Sequence, residues 1–147
     1  MGFALRDHTA DIAVEATGDS ITDVFASVAD GLAAASCDDI PAATGERFSL
    51  SVTAENREAL LFDYLDELIY LRDVRAELPV DHHVEHIDRS DADGSTDTST
   101  AEWSLTATAR GVPLTEIDAR EVKAVTYSEM QLEFIDEHWN AYVVFDV

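Results

Sequence analysis

Two stretches of this sequence place apolar residues at the spacing of one helical face, and such a face has to be covered by a second layer. The first helix is predicted over about Ile21 to Ser36, with Ser20 and Asp23 positioned to cap its first turn. The second helix follows Asn56, a suitable N-cap, and stops well before Pro79. Its apolar stripe comprises Leu60, Leu61, Tyr64, Leu65, Leu68, Ile69 and Leu71.

Predicted β-strands, in which every second residue is apolar, supply the covering layer. Apolar and polar residues alternate from Phe48 to Glu55, from Ala101 to Arg110 and from Met130 to Phe134. The runs from Ile12 to Ala16 and from Trp139 to Val147 are also typical of strands. This order of elements predicts an α+β sandwich of one sheet and two helices, built as a single domain over residues 1–147.

Acidic residues outnumber basic residues by 31 to 9, and the formal net charge at pH 7 is -22. A compact chain with this charge repels itself unless concentrated salt screens it, to a Debye length of about 3 Å at 1 M. We therefore expect a protein of a salt-rich cytoplasm, in which the lone Cys37 stays reduced. The charge disfavours direct nucleic-acid binding, and the sequence lacks a signal peptide or a long apolar run, so no membrane association is expected.

Two short motifs suggest chemistry that their context does not favour. The string from His82 to His86 fits the H-x-x-E-H pattern of a zinc peptidase, but its flanking alternation predicts a strand, on which the two histidines lie too far apart to share a metal. Asp91 to Gly94 resembles part of a calcium loop with the glycine misplaced, so the segment from Ser90 to Ser99 is predicted to be an acidic loop between strands.

Acidic residues near both ends of the chain are harder to explain by folding. Asp146 closes an apolar strand, where a carboxylate requires either solvent or a cation. If the terminal strands are neighbours, Asp11, Asp146 and the carboxylate or carbonyl of Val147 could converge as hard oxygen ligands for Ca²⁺ or Mg²⁺. A solvated terminal acid is the alternative. Lys123, the only lysine of the chain, lies in a strand-like run.

Several of these segments together resemble the archease family. They are Asp7-His8-Thr9-Ala10-Asp11-Ile12, the second helix with Leu60-Leu61-Phe62-Asp63-Tyr64-Leu65-Asp66-Glu67-Leu68, the run Val122-Lys123-Ala124-Val125-Thr126-Tyr127 and the ending Phe145-Asp146-Val147. The resemblance covers the whole chain in the same order. It implies a mixed sheet packed by two helices.

The resemblance also implies a function. Archeases assist the RtcB-type RNA ligase in tRNA splicing by promoting its guanylylation and multiple turnover, and are not themselves enzymes. A divalent-metal site, calcium in particular, is implied at Asp11, Asp146 and Val147, and a ligase-facing role at Asp7, His8 and Lys123. The alternative is a general chaperone-like interaction module with a structural metal.

Overall fold

The computed structural model describes residues 2–8, 11–90 and 102–147, with the backbone alone for residues 6–8. The predicted acidic loop therefore lies almost entirely outside the described residues, as does the segment resembling a calcium loop. In chain order the elements are β1 (Gly2–His8), β2 (Asp11–Gly18), α1 (Ile21–Ser36), β3 (Glu46–Ala54), α2 (Arg57–Arg75), β4 (Glu77–Ser90), β5 (Glu102–Pro113), a 3-10 turn (Leu114–Glu116), β6 (Ala124–Ile135) and β7 (His138–Asp146).

The α+β class with two helices is confirmed, but the described strands form two sheets, and every pairing in them is antiparallel. One sheet has four strands in the order β1-β2-β7-β6, and the other has three in the order β3-β5-β4. The expectation of one mixed sheet is corrected on both counts. Strand periodicity identifies which residues share a face, but it does not say which strands pair.

Both helices begin at the predicted caps. The Ser20 hydroxyl accepts a hydrogen bond from the Asp23 amide at 3.1 Å, and the Asn56 side chain accepts one from the Ala59 amide at 2.8 Å. Each helix contacts strands of both sheets, and the main apolar cluster contains residues of both sheets and both helices. At Gly31 an added Cβ would lie 2.5 Å from a methyl of Val14, so glycine permits α1 to approach β2 closely.

The predicted strand faces are largely confirmed. Leu50, Leu105 and Leu132 are buried, and their polar neighbours in sequence are more exposed. Phe134 departs from the pattern, because it is exposed near the end of β6. Its ring packs against that of Trp139, with 5.4 Å between the two ring centres. No helix within the described parts of the chain is long and apolar enough to cross a membrane.

The pairing of β6 with β7 is interrupted by a bulge. Thr126 pairs with Val144 and Gln131 pairs with Tyr142, so residues 127–130 lie opposite Val143 alone. The ladder on the Thr126 side of this bulge carries the residues that matter for the candidate site.

Candidate functional site

Asp11 and Asp146 are direct partners in the antiparallel ladder of β2 and β7. Residues paired in this way lie about 4.5 to 5.5 Å apart at their Cα atoms and project to the same side of the sheet. Ile12 and Phe145, the next pair, lie on the opposite side, and Phe145 belongs to the apolar core. The two carboxylates therefore occupy the outer face of the four-stranded sheet, at one end of its central strand pair.

Asp11 and Asp146 belong to a row that crosses all four strands. His8 is paired with Asp11, and Ala124 with Asp146, in the neighbouring ladders. The side chains of Asp7 and His8 lie outside the described residues, so their predicted ligase-facing role rests on backbone placement alone. Asp11 is half-buried, whereas Asp146 and Val147 are exposed.

Lys123 lies beside this row. It immediately precedes β6 instead of lying within it, and its backbone N–H donates a 2.8 Å hydrogen bond to the carbonyl oxygen of Asp146. The Lys123 side chain is exposed. The strand-like run predicted around the lysine is thus confirmed from Ala124 onward, and the fold brings Lys123 next to Asp146 in space.

Thr126 contributes an unsatisfied polar atom to the same region. It pairs with Val144, which shares the outer face with Asp146 by strand alternation. The Thr126 hydroxyl is buried and has no hydrogen-bond partner among the described residues. A buried hydroxyl without a hydrogen-bond partner lowers the stability of the fold, so the Thr126 hydroxyl calls for an explanation, of which a bound water or ion is one.

Arg72 was not anticipated as part of this region. The arginine is 7% exposed, near the end of α2, and its Nη1 donates a 2.6 Å hydrogen bond to the carbonyl oxygen of Val122. A sequence signal was present, because Arg72 follows Leu68 by one helical turn and so falls on the apolar stripe. A charged residue at such a position indicates a buried partner.

The peptidase interpretation is not supported. His82 to His86 form part of β4, with His82 buried and His86 exposed. His82 Nε2 lies 3.2 Å from the Pro79 carbonyl oxygen, and burial lowers the pKa of His82 to about 4. Cys37 is buried and unpaired by any disulfide.

Comparison with known proteins identifies the family. The model of the Archease protein family (MTH1598/TM1083) matches residues 3–147. This chain belongs to the archease family. Among its relatives, the protein archease of Methanothermobacter thermautotrophicus is 33% identical, with 99% of each chain covered. The protein archease of Methanosarcina acetivorans is 31% identical, with 99% of this chain and 95% of the relative covered.

Two solved archease-family structures share the fold. The solution structure of Methanobacterium thermoautotrophicum protein 1598 is 29% identical, covers 99% of both chains and superposes with a TM-score of 0.77. The crystal structure of a Thermotoga maritima archease, described as a possible chaperone, covers 97% of this chain and 94% of that chain at 22% identity, with a TM-score of 0.59. The second likeness concerns the fold alone.

The donor set of this archease family member suits a hard divalent cation. Two facing carboxylates provide oxygen ligands of the kind that Ca²⁺ and Mg²⁺ prefer. Among the side chains that the structure describes, those of residues 2–5, 11–90 and 102–147, no three His, Cys, Asp or Glu residues cluster as a metal site. An ion held by Asp11 and Asp146 would therefore need further oxygens from the main chain, the Val147 end or water.

Proposed function

We propose that this archease family member is an accessory activator of an RtcB-type RNA ligase, acting in the cytoplasm during tRNA splicing. Family membership supports this role. The observation that carries it furthest is the placement of Asp11, Asp146 and Lys123 at one end of the outer face. These positions are the ones at which the family resemblance implies a metal site and a ligase-facing lysine.

The proposed mechanism follows from charge. The protein is strongly acidic, so a surface that engages a carboxylate or a phosphate of the ligase needs a local positive centre. A divalent cation, calcium in our proposal, would supply such a centre when bound by Asp11 and Asp146. Lys123 adds a second positive charge, and its hydrogen bond to Asp146 fixes the distance between the two backbones. These groups would orient the ligase for guanylylation and promote its multiple turnover.

A chaperone-like interaction module with a structural metal is the second candidate. The Thermotoga maritima archease is described as a possible chaperone. In addition, Tyr70 and Val74 lie one turn apart on α2 and are 59% and 62% exposed. This candidate predicts that unrelated client proteins are stabilised and that substitution of Asp11 or Asp146 has no effect on that activity.

The deciding experiment is multiple-turnover RNA ligation by the cognate RtcB-type ligase, with GTP and Mn²⁺ in high potassium salt. The protein is added at substoichiometric amounts as wild type, Asp146→Asn, Lys123→Arg or Glu133→Gln. Glu133→Gln is the matched control, since it also removes an exposed carboxylate from the four-stranded sheet.

We expect wild type and Glu133→Gln to raise turnover well beyond one product per ligase, and Asp146→Asn to lose at least ten-fold in stimulation. Full stimulation by Asp146→Asn would remove the metal from the mechanism, and full stimulation by Lys123→Arg would show that only the charge at this position matters. No stimulation by folded wild-type protein at matched salt would contradict the ligase role.

A further inference from the structure

We infer that Arg72 is a positioning residue for the candidate site, holding the main chain that carries Lys123. The inference rests on the proposed function for its biological meaning, but its structural basis is independent of the ligase. The Arg72 guanidinium is buried, and one of its nitrogens donates to the Val122 carbonyl oxygen at 2.6 Å. Val122 immediately precedes Lys123 and is fully buried.

Arg72 holds a segment that connects the 3-10 turn to β6. Residues 117–123 belong to no strand or helix. Besides the Arg72 contact, the Arg120 amide donates to the Ser36 carbonyl oxygen at 2.7 Å, and the Lys123 amide donates to the Asp146 carbonyl oxygen at 2.8 Å. The side chains of Ile117, Ala119 and Val122 also pack against the apolar clusters. Arg72 thus ties α2 to the residue next to Lys123, and the Lys123 amide ties that position to Asp146.

The remaining donors of Arg72 explain how the charge is tolerated. Its Nε and Nη2 donate to the same oxygen of Asp73 at 3.0 and 2.9 Å, and that carboxylate is mostly exposed. Burying a charge is unfavourable unless its hydrogen-bonding groups are satisfied. An apolar residue at this place on the stripe would avoid the cost, so an arginine here indicates that the bond to Val122 has a use.

A purely structural role is the alternative. Arg72 lies in the last turn of α2, where a positive charge is favoured by the helix dipole. In that case its loss would lower stability throughout the protein, without any selective effect at Lys123.

The test compares Arg72→Met, Arg72→Lys and the matched control Arg75→Met, which removes the other arginine of the same turn. The first measurement is amide hydrogen exchange in molar KCl, because exchange reports the opening of individual hydrogen bonds. We expect exchange at the Lys123 amide to become at least ten-fold faster in Arg72→Met than in wild type, with amides in the middle of the β2–β7 ladder changing less than two-fold. Arg72→Lys should restore part of the protection, since an ammonium can still donate to Val122.

The second measurement is ligase stimulation, separated into its maximum and the concentration that gives half of it. Arg72→Met should lower the maximum about five-fold even at saturating folded protein, whereas Arg75→Met should not. Equal acceleration of all amides, or an unchanged Lys123 amide, would overturn the inference. If wild-type protein does not stimulate the ligase, the proposed function fails while the exchange result alone still decides the role of Arg72.

Discussion

The backbone N–H of Lys123 donates a 2.8 Å hydrogen bond to the backbone carbonyl oxygen of Asp146, which joins the residue just before β6 to the end of β7. Because the bond uses main-chain atoms only, neither side chain takes part in joining the two segments. Substitutions of the lysine ammonium or the aspartate carboxylate should therefore report on binding and activation, with the local backbone preserved.

Asp146→Asn should have opposite effects on stability with and without a divalent cation. Like charges directly opposite each other on a sheet are destabilising, so the variant should melt at the same temperature as wild type or higher when chelator is present. With Ca²⁺ at about 100 times its dissociation constant, wild type should gain about 2.7 kcal/mol and the variant much less. Calorimetry of both proteins and of the control Glu133→Gln measures this, and equal calcium stabilisation of all three would contradict it.

Acidification should destabilise the fold through His82. The folded-state pKa of His82 is about 4, lowered mainly by burial from an ordinary value of 6.5. The unfolded chain therefore binds a proton in a range where the folded protein does not, and stability falls as the pH drops from about 6.5 toward 4, by at most about 3 kcal/mol. Urea unfolding of wild type and His82→Gln across this range should show a steeper decline for wild type.

Other charged groups near His82 also affect how stability depends on pH. Asp30 accepts a 3.0 Å hydrogen bond from the His82 amide, and burial raises the pKa of its carboxyl, so its contribution to stability falls as the pH rises. Asp81 favours the protonated imidazole, whereas Arg47 and His83 oppose it. The control is His86→Gln, an exposed position on the same strand. Parallel pH profiles of wild type and His82→Gln would exclude the histidine as the cause.

Arg57 should stabilise the end of the sandwich remote from Asp146. Its guanidinium carbon lies 5.7 Å from the ring centre of Trp103 and 5.4 Å from that of Trp139, which belong to different sheets. Cation–π contacts at exposed sites contribute about 0.5 to 1 kcal/mol each. The position also lies in the first helical turn, where a positive charge costs about 0.3 to 1 kcal/mol at low salt.

Salt separates these two effects. In 3 M KCl the unfavourable dipole interaction is screened, so Arg57→Gln should lose about 1 kcal/mol in urea unfolding, and less in 0.1 M KCl. Arg120→Gln, which removes an exposed arginine outside helices and strands, is the control. If the loss in free energy of unfolding is no larger at high salt than at low salt, the prediction that Arg57 links the two sheets is wrong.

Concentrated salt should stabilise the whole fold. With a net charge of -22, self-repulsion is largest at low ionic strength. The midpoint of urea unfolding should rise by about 1 M between 0.2 and 3 M KCl, which at a slope near 2 kcal/mol per molar urea corresponds to about 2 kcal/mol. A midpoint that stays constant, or that falls, would contradict the expectation of a salt-adapted protein.

The starts of both helices could be predicted from the sequence, because contacts between residues close together in the chain determine them. Ser20 and Asn56 mark helix starts through side-chain hydrogen bonds to residues three positions on. By contrast, β1 was not predicted, because Gly2–His8 carries little alternation. The division into two sheets was missed for a different reason, since it depends on contacts between distant segments.

The candidate site was likewise predictable from the sequence only in part. The facing of Asp11 and Asp146 was expected from the assumption that the terminal strands are neighbours, and the ladder confirms that pairing. The cation, the ligase and the roles of Asp7, His8, Lys123 and Val147 remain predictions. Arg72 and Thr126 were missed because their importance arises from burial, which a pattern of residue types reveals only indirectly.

The bulge at residues 127–130 divides the β6–β7 ladder into two independently registered halves. Elsewhere in a ladder, a single inserted or deleted residue turns every following side chain to the other face. Within the bulge, an added or lost residue can be absorbed by backbone that lies outside the regular register of the two strands. Over evolutionary time this segment can therefore change length, as hairpins diverge, without turning Asp146 away from Asp11 or displacing Lys123 from its place beside them.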